Sequence, residues 1–320
     1  MRLFKLLILG LMLLLLSEGI LLAAEDSEAK IKCFAFPVIF DSPETGFALG
    51  ANFMAYRKSG EMGMDSFDGI LIFTEKEQVV VNLGVKKYFQ DEKYLLMANY
   101  GYVDYPGKFY GIGPDTAEDQ EEDYTLTSNS YGAKFLFKLP SDYYFGPILT
   151  YYSFGIEDRA EGGLLAAGDI NGFDGTTVAG GGLMLLRDTR DDKFLPRHGS
   201  LLSGEYTSYR KSWGSDENFS QLITTYRQFW AVRETKTLAL MGVLFLNDGT
   251  VPFEMMPSLS MRGYYEGRYR DRNFAMFQGE YRFPITARFS GVAFASLGEV
   301  APEIDQFDGD HLKVAGGFGM

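Results

Sequence analysis

Residues 260–271 read Ser-Met-Arg-Gly-Tyr-Tyr-Glu-Gly-Arg-Tyr-Arg-Asp and combine three arginines and three tyrosines with two glycines. An amphipathic segment with a single acidic residue follows closely, at residues 277–283, as Phe-Gln-Gly-Glu-Tyr-Arg-Phe. An Arg-Gly-Tyr tip that is held inside a structure needs a carboxylate, because a planar guanidinium pairs best with that group. Glu280 is the nearby partner for such a pair. The alternative is a loop that lies free on the surface.

Outside this stretch, apolar and polar residues alternate along the chain in short segments bounded by turn residues. No stretch after residue 30 has the period of a long amphipathic helix, so the pattern predicts an all-β fold. Many segments reach the roughly 9–11 residues that a tilted membrane strand requires. We predict fourteen strands, at 33–40, 46–57, 66–74, 77–89, 93–104, 124–138, 142–157, 176–187, 200–210, 219–232, 236–246, 272–283, 288–298 and 312–320.

The composition narrows the class of protein. The chain has a net charge of −13, 20 Tyr, 27 Phe and 37 Gly, but one cysteine, Cys33, and two histidines. Nucleic-acid binding is not expected, because contacts to phosphates need clustered Lys and Arg. Few residues are available as metal ligands, and we expect no cofactor. Aromatic and glycine-rich composition is typical of transmembrane barrels, although a secreted β-sandwich shares part of this profile.

The lengths of the predicted connections distinguish a membrane barrel from a secreted β-sandwich. Tight turns are predicted at 233–235, 140–141 and 284–287, and long loops alternate with them at 105–123, 158–175, 211–218, 247–271 and 299–311. Short turns at one end and long loops at the other are typical of outer-membrane barrels. We therefore predict a transmembrane antiparallel β-barrel, with segment 247–271 on the extracellular side. An acidic run at 118–123 is expected to be a solvated loop rather than a cation site.

The first 24 residues have the layout of a secretory signal peptide. Arg2 and Lys5 precede an apolar run from Leu6 to Leu16, and Ala23-Ala24 supplies small residues for cleavage. The sequence therefore predicts a signal peptide at 1–24 and one barrel domain at 25–320, located in the bacterial outer membrane.

Four segments give the chain a family resemblance: residues 109–116, Phe-Tyr-Gly-Ile-Gly-Pro-Asp-Thr; residues 187–191 with Pro196 and Gly199; residues 261–271; and residues 279–284, Gly-Glu-Tyr-Arg-Phe-Pro. In this order, the chain resembles the BamA/TamA superfamily of outer-membrane barrels, also called bacterial surface antigen proteins. The resemblance implies a sixteen-stranded barrel whose long loop after strand eleven folds into the lumen.

The same resemblance assigns roles to individual residues. Arg262, Gly263 and Tyr264 correspond to the tip of the lumen loop, and Glu280 corresponds to the first acidic partner of Arg262. A charged turn motif is formed by a second group of residues, namely Asp188, Arg190, Asp191, Pro196 and Gly199.

Three departures from the family pattern bear on function. Ser296 occupies the position at which the family usually has a second acidic partner, an aspartate. Only a short segment separates the predicted signal peptide from the first strand, so periplasmic POTRA domains are not expected. The chain ends at Met320, inside the fourteenth predicted strand. We therefore expect a truncated barrel whose last strands are missing, with a barrel of fewer strands as the alternative.

The family resemblance implies a role in the insertion or export of proteins or lipids at the outer membrane. The expected partners are outer-membrane lipid or lipopolysaccharide and a periplasmic protein that captures the substrate. The alternative is a passive pore, or a structural surface barrel without assembly activity. An enzyme is not expected, because His198 and His311 are predicted at opposite ends of the barrel and so cannot form one catalytic site.

Overall fold

The computed structural model describes residues 31–42, 45–60, 63–286 and 288–320. The predicted signal peptide at 1–24 lies outside these residues. The fourteen strands are β1 (Lys32–Ser42), β2 (Gly46–Ser59), β3 (Gly63–Thr74), β4 (Val79–Phe89), β5 (Tyr94–Phe109), β6 (Glu122–Lys138), β7 (Tyr143–Glu157), β8 (Gly175–Asp188), β9 (Gly199–Tyr209), β10 (Phe219–Arg233), β11 (Lys236–Gly249), β12 (Asn273–Pro284), β13 (Ser290–Ala301) and β14 (Lys313–Gly319).

Among residues 31–320, in the ranges described, helical structure is confined to connections. The single α-helix within the described ranges is α1 (Leu164–Ala167), and the 3₁₀ turns are Glu118–Gln120, Pro140–Asp142, Lys211–Trp213, Phe253–Met255 and Ile304–Gln306. In the part of the chain that the structure describes, no helix combines the length and the apolar character needed to cross a membrane.

The strands form one antiparallel sheet in which neighbours follow chain order from β1 to β14. This meander confirms the predicted all-β barrel fold and the number of strands.

The strands are long: β5 has 16 residues and β6 has 17, compared with about 5–6 in an average soluble sheet. The largest difference from prediction is β5, which continues to Phe109 instead of ending near residue 104. Across the described residues, no ladder joins β1 to β14.

The outward face of the sheet is apolar. Phe277 is 45% exposed and Leu149 is 65% exposed, whereas Glu280, which points inward from the same strand as Phe277, is 8% exposed. Because side chains alternate between the faces of a strand, the buried positions define the lumen. An exposed apolar outer surface with polar groups inside is the arrangement of a membrane barrel.

Part of the lumen departs from the polar inner face that is usual in a membrane barrel. Inward-facing residues of β4 to β8 instead form an apolar cluster: Tyr88, Leu95, Leu136, Tyr144, Ile148, Met184 and Leu186. Leu95 and Leu136 are fully buried and are register partners in neighbouring strands. Side chains therefore fill this section of the barrel, as they do in the core of a small soluble barrel.

The two ends of the barrel differ in the length of their connections. The long-loop end contains residues 110–121, 158–174, 210–218, 250–272 and 302–312 together with the short β3–β4 turn at 75–78, and the short-turn end contains 90–93, 139–142 and 234–235. One connection at the short-turn end, residues 189–198, is longer and contains the charged turn motif. The alternation predicted from the sequence is confirmed.

Candidate functional site

The site is built around residues 250–272, which we call the lumen loop. Its first part packs on inward-facing residues of two groups of strands. Phe253 is fully buried with Phe109, Tyr124 and Ile156. Two further loop residues contact the next group of strands, since Val251 and Met255 cluster with Val178, Tyr209 and Phe219. The loop therefore reaches from β5 across to β10.

The second part of the lumen loop packs on the opposite section of the wall. Leu259 and Met261 are buried against three inward-facing residues of β12 and β13, namely Phe274, Met276 and Val300. The loop therefore contacts strands from β5 to β13 and fills the lumen at the long-loop end.

Arg262 lies at the tip of this loop and contacts Glu280 on β12. Its Nη2 is 3.0 Å from Glu280 Oε2, and Arg282 Nε is 2.6 Å from Glu280 Oε1. One carboxylate thus accepts hydrogen bonds from two guanidinium groups. The side chain of Glu280 is 10% exposed, whereas that of Arg262 is 49% exposed. In this ion pair the Glu280 carboxylate is therefore buried, whereas the Arg262 side chain is accessible to water.

Other groups complete the surroundings of Arg262. Its guanidinium lies over the ring of Phe294 at 4.6 Å, a cation–π contact worth about 0.5–2 kcal/mol. Ser296, for which the family resemblance predicted an acidic residue, lies on the neighbouring strand β13. Its Oγ is buried and, among the described residues, has no hydrogen-bond partner. Arg282 and Phe294 were not predicted from the sequence, although Arg282 lies two residues from Glu280 and so shares its face.

The backbone conformation at the tip of the lumen loop explains why residue 263 is a glycine. Gly263 has a φ of +91°, a region that residues with a Cβ adopt only with strain. The turn directs the next residue, Tyr264, towards the last described strand, where its hydroxyl donates to the carbonyl of Val314 at 2.9 Å. The Arg262-Gly263-Tyr264 tip therefore contacts both β12 and β14.

The lumen loop also binds the β5–β6 connection, the first of the four family-like segments. Arg268 Nη1 donates to Thr116 Oγ1 at 2.7 Å, and its Nη2 donates to the Thr116 carbonyl at 2.6 Å. The guanidinium lies 5.0 Å from the Tyr110 ring centre, and the Gly113 amide donates to the Arg270 carbonyl at 2.7 Å. Two segments about 150 positions apart are therefore joined.

Glu254 is a buried acidic group within the lumen loop itself. Its Oε1 accepts a hydrogen bond from the Tyr124 hydroxyl at 2.7 Å, and its Oε2 lies 3.4 Å from Arg270 Nη1. Arg270 also donates to the Phe253 carbonyl at 2.7 Å. Glu254 was not among the predicted site residues, because nothing in the local sequence pattern shows that it faces β6.

The charged turn motif forms its own structure in the 189–198 connection. Asp188 accepts two hydrogen bonds from Arg190, at 2.8 Å and 2.9 Å, and pairs with Lys193 at 3.1 Å. Gly199 has a φ of +90°, and a Cβ there would lie 2.1 Å from a backbone oxygen. Pro196 is buried. Among the described residues, no hydrogen bond or ion pair links this turn to Arg262 or Glu280.

Asp191 organises the backbone of the same turn. Its Oδ1 accepts hydrogen bonds from the amides of Asp192, Arg197 and His198 at 2.9–3.0 Å. Burial raises the pKa of Asp191, but these amide hydrogen bonds outweigh it, so the pKa lies below its usual range.

Acidification should therefore open this turn. A carboxyl group with a depressed pKa stabilises the fold fully above its unfolded pKa, about 4, and that contribution is lost as the pH falls through the folded value. Asp191→Ala should cost about 1 kcal/mol at neutral pH and weaken the acid dependence. Protease cleavage within 189–198, followed from pH 7 to pH 3, measures both effects. Asp119→Ala, an exposed residue in another loop, is the control; equal pH profiles for wild type and Asp191→Ala would contradict the assignment.

The acidic run at 118–123 covers the end of the β5–β6 connection and the first residues of β6. Within the acidic run, Glu121 pairs with Lys108 and accepts from the Tyr110 hydroxyl, and the Glu122 carboxylate accepts amide hydrogen bonds from α1. These two residues are therefore held by partners, while residues 118–121 and 123 of the run are exposed to solvent, as expected. The Lys108 hydrogen bond lowers the pKa of Glu121.

The two histidines lie at different ends of the barrel. His198 is in the turn at the short-turn end, and His311 is at the long-loop end, where its Nδ1 lies 2.6 Å from Asp115 Oδ2. In the described ranges, no group of three or more His, Cys, Asp or Glu residues has the geometry to hold a metal ion.

Comparisons with known proteins agree with this architecture. The profile described as the Omp85 superfamily domain matches residues 59–316. BamA from Haemophilus ducreyi lacking POTRA domains 1-3 superposes with a TM-score of 0.58 and 15% identity, over 92% of this chain and 64% of that chain. CdiB from Acinetobacter baumannii gives a TM-score of 0.48 and 9% identity, over 90% and 52%. No curated protein sequence matches. The chain thus spans less than two thirds of either structure.

Proposed function

The chain belongs to the Omp85 superfamily, and from this premise we propose that it assists the insertion or export of proteins or lipids at the bacterial outer membrane. The family resemblance favours insertion or transport over an enzyme activity. The observation that best supports the proposal is the contact between Arg262, at the tip of the lumen loop, and Glu280 on the barrel wall.

The contacts of the tip suit a loop that can move. Glu280 has a second partner in Arg282, so the carboxylate stays paired when Arg262 leaves it. This lowers the cost of release, because an uncompensated buried charge is the main penalty when a buried pair breaks. Arg262 is half exposed, so water solvates it once it is free. We propose that the loop alternates between bound and released positions as the barrel handles its substrate.

In this proposal, the exposed apolar belt contacts outer-membrane lipid or lipopolysaccharide. A periplasmic partner delivers the substrate to the short-turn end of the barrel. No nucleic acid and no cofactor take part.

A passive pore, or a structural surface barrel, is the second candidate. It is favoured by Ser296, which leaves Arg262 without the second carboxylate that the family resemblance leads us to expect. The packed lumen loop argues against a wide permanent opening, since it contacts the inner wall from β5 to β13.

Depletion of the gene product tests the proposed function. We expect the amounts of other integral outer-membrane proteins to fall, or lipid asymmetry to be lost, with restoration by a plasmid copy. Quantitative proteomics of the outer-membrane fraction and uptake of an impermeant dye measure these effects. Unchanged protein levels together with unchanged permeability would rule out an assembly or export role.

A further inference from the structure

A groove of about 390 Å³ lies on the outward face of the barrel, across β10 to β13. Three of its lining residues, Tyr226, Phe277 and Leu297, are 42–46% exposed and belong to the apolar outer belt. The groove is therefore separate from the lumen and from the Arg262 site. Its volume falls within the range of about 300–1,000 Å³ that is typical of small-molecule sites.

Small residues create this groove between larger neighbours. Gly242 pairs with Tyr226 on one side and with Phe277 on the other. A Cβ at Gly242 would meet no atom closer than 4.0 Å, so the space above it is open. Phe307 and Leu312, from the connection between β13 and β14, line the groove at its long-loop side.

Glu299 supplies a polar group within this apolar lining. It is the register partner of Ala275 on the outward face, and only 5% of its surface is exposed. Its Oε1 is buried and has no hydrogen-bond partner among the described residues. A buried carboxyl oxygen without a donor is costly. The groove therefore lacks a hydrogen-bond donor at this position.

The loop beside the groove indicates the charge of that donor. Residues 302–312 contain Glu303, Asp305, Asp308 and Asp310 but no Lys or Arg. Glu303 is paired with Arg272 at 2.7 Å. The surplus of negative charge favours a cationic group at the end of the groove, because opposite charges attract strongly in a poorly hydrated site.

We propose that this groove binds a membrane lipid with a primary amine in its head group. The acyl chain lies over Gly242 and Ala275, and the ammonium donates a hydrogen bond to Glu299. Phe307 and Leu312 cover the chain near the head group. This lipid site lies on the outer wall and does not depend on the insertion or export role proposed above.

Native mass spectrometry of the purified full chain in detergent, titrated with phosphatidylethanolamine or phosphatidylglycerol of equal chain length, tests this proposal. We expect at least fivefold tighter binding of phosphatidylethanolamine. Glu299→Gln should remove that preference, and Gly242→Leu should fill the groove and reduce phosphatidylethanolamine binding at least tenfold. Gly181→Leu is the matched control, because Gly181 faces outward on β8 and a Cβ there meets neighbours only at 3.6–3.7 Å.

Several outcomes would overturn the proposal. Equal affinity for the two lipids, or a preference that survives Glu299→Gln, would show that Glu299 does not select an amine. Unchanged binding in Gly242→Leu would place the lipid elsewhere. A dimer that Gly242→Leu abolishes would assign the groove to a second copy of the chain. Folding of every variant is verified by its heat-dependent gel mobility, and Glu299→Gln tests the site even if Gly242→Leu fails to fold.

Discussion

Glu280→Ala is expected to release the Arg262-Gly263-Tyr264 tip of the lumen loop from β12. The substitution removes the only carboxylate that pairs with either Arg262 or Arg282 among the described contacts, and it leaves two like charges near each other. Breaking a fully buried pair costs about 3–5 kcal/mol. Because Arg262 is half exposed and solvent screens it, we expect about 2 kcal/mol here. Because every 1.4 kcal/mol is a factor of ten and cleavage follows the population of the open loop, limited proteolysis of the folded barrel should show a cut within residues 250–272 that is about thirtyfold faster.

The control for this variant is Glu303→Ala. Glu303 also pairs with an arginine, Arg272, but its side chain is 55% exposed and it lies outside the lumen loop. Its loss should leave cleavage of the loop nearly unchanged, because exposed pairs contribute about 0–1 kcal/mol. If Glu280→Ala were cut no faster than Glu303→Ala, the ion pair at the tip would not be what holds the loop.

Phe253→Ala is expected to have the largest effect on stability. Its ring is fully buried and packs edge-on against Phe109 at 5.4 Å and Tyr124 at 6.1 Å. Removing a buried phenylalanine side chain typically costs about 3–5 kcal/mol. Because the cavity opens inside the lumen, water should enter it. We therefore expect a lower thermal midpoint and frequent open steps in planar-bilayer recordings, where the wild type stays mostly closed.

Phe145→Ala is the matched control for the conductance experiment. Phe145 is on β7, it is 40% exposed, and it belongs to the outward face. Its removal changes the lipid-facing surface and leaves the lumen intact, so wild-type conductance is expected. Large, stable open steps in the wild type that Phe253→Ala leaves unchanged would favour the passive pore over a loop-filled barrel.

The strands could be predicted from sequence because their alternation is local. In residues 277–283, alternate positions are aromatic and polar, and the structure places Phe277 outside and Glu280 inside. Turn residues such as Pro140 and Pro284 mark the ends of strands within a few positions. A strand's period, its length and its flanking turns are all visible in one stretch of chain.

The packing inside the barrel could not be predicted in the same way. Leu95 and Leu136 both point into the barrel and belong to one buried cluster. Alternation along a strand shows which side chains point inward, but it does not show whether those side chains pack against one another. Glu254 contacts Tyr124 from a distance of 130 positions. Such contacts depend on how the lumen loop crosses the barrel, and one sequence contains no local signal for that path.

The site itself was predicted in part. The sequence and the family resemblance indicated Arg262 and Glu280 as partners, and the two lie 3.0 Å apart. The resemblance also pointed to Ser296 as a missing acid, but it gave no reason to expect Phe294 beneath the guanidinium or Arg282 on the same carboxylate. The roles of these residues in transport remain predictions.

Complementation of depleted cells by Arg262→Ala tests most directly whether the anchored lumen loop carries the function. The variant should reach the outer membrane in normal amounts yet fail to restore the proteins or the permeability barrier lost on depletion. Arg288→Ala, an exposed arginine in a short turn, should restore both as wild type does. Full restoration by Arg262→Ala at equal abundance would contradict the account.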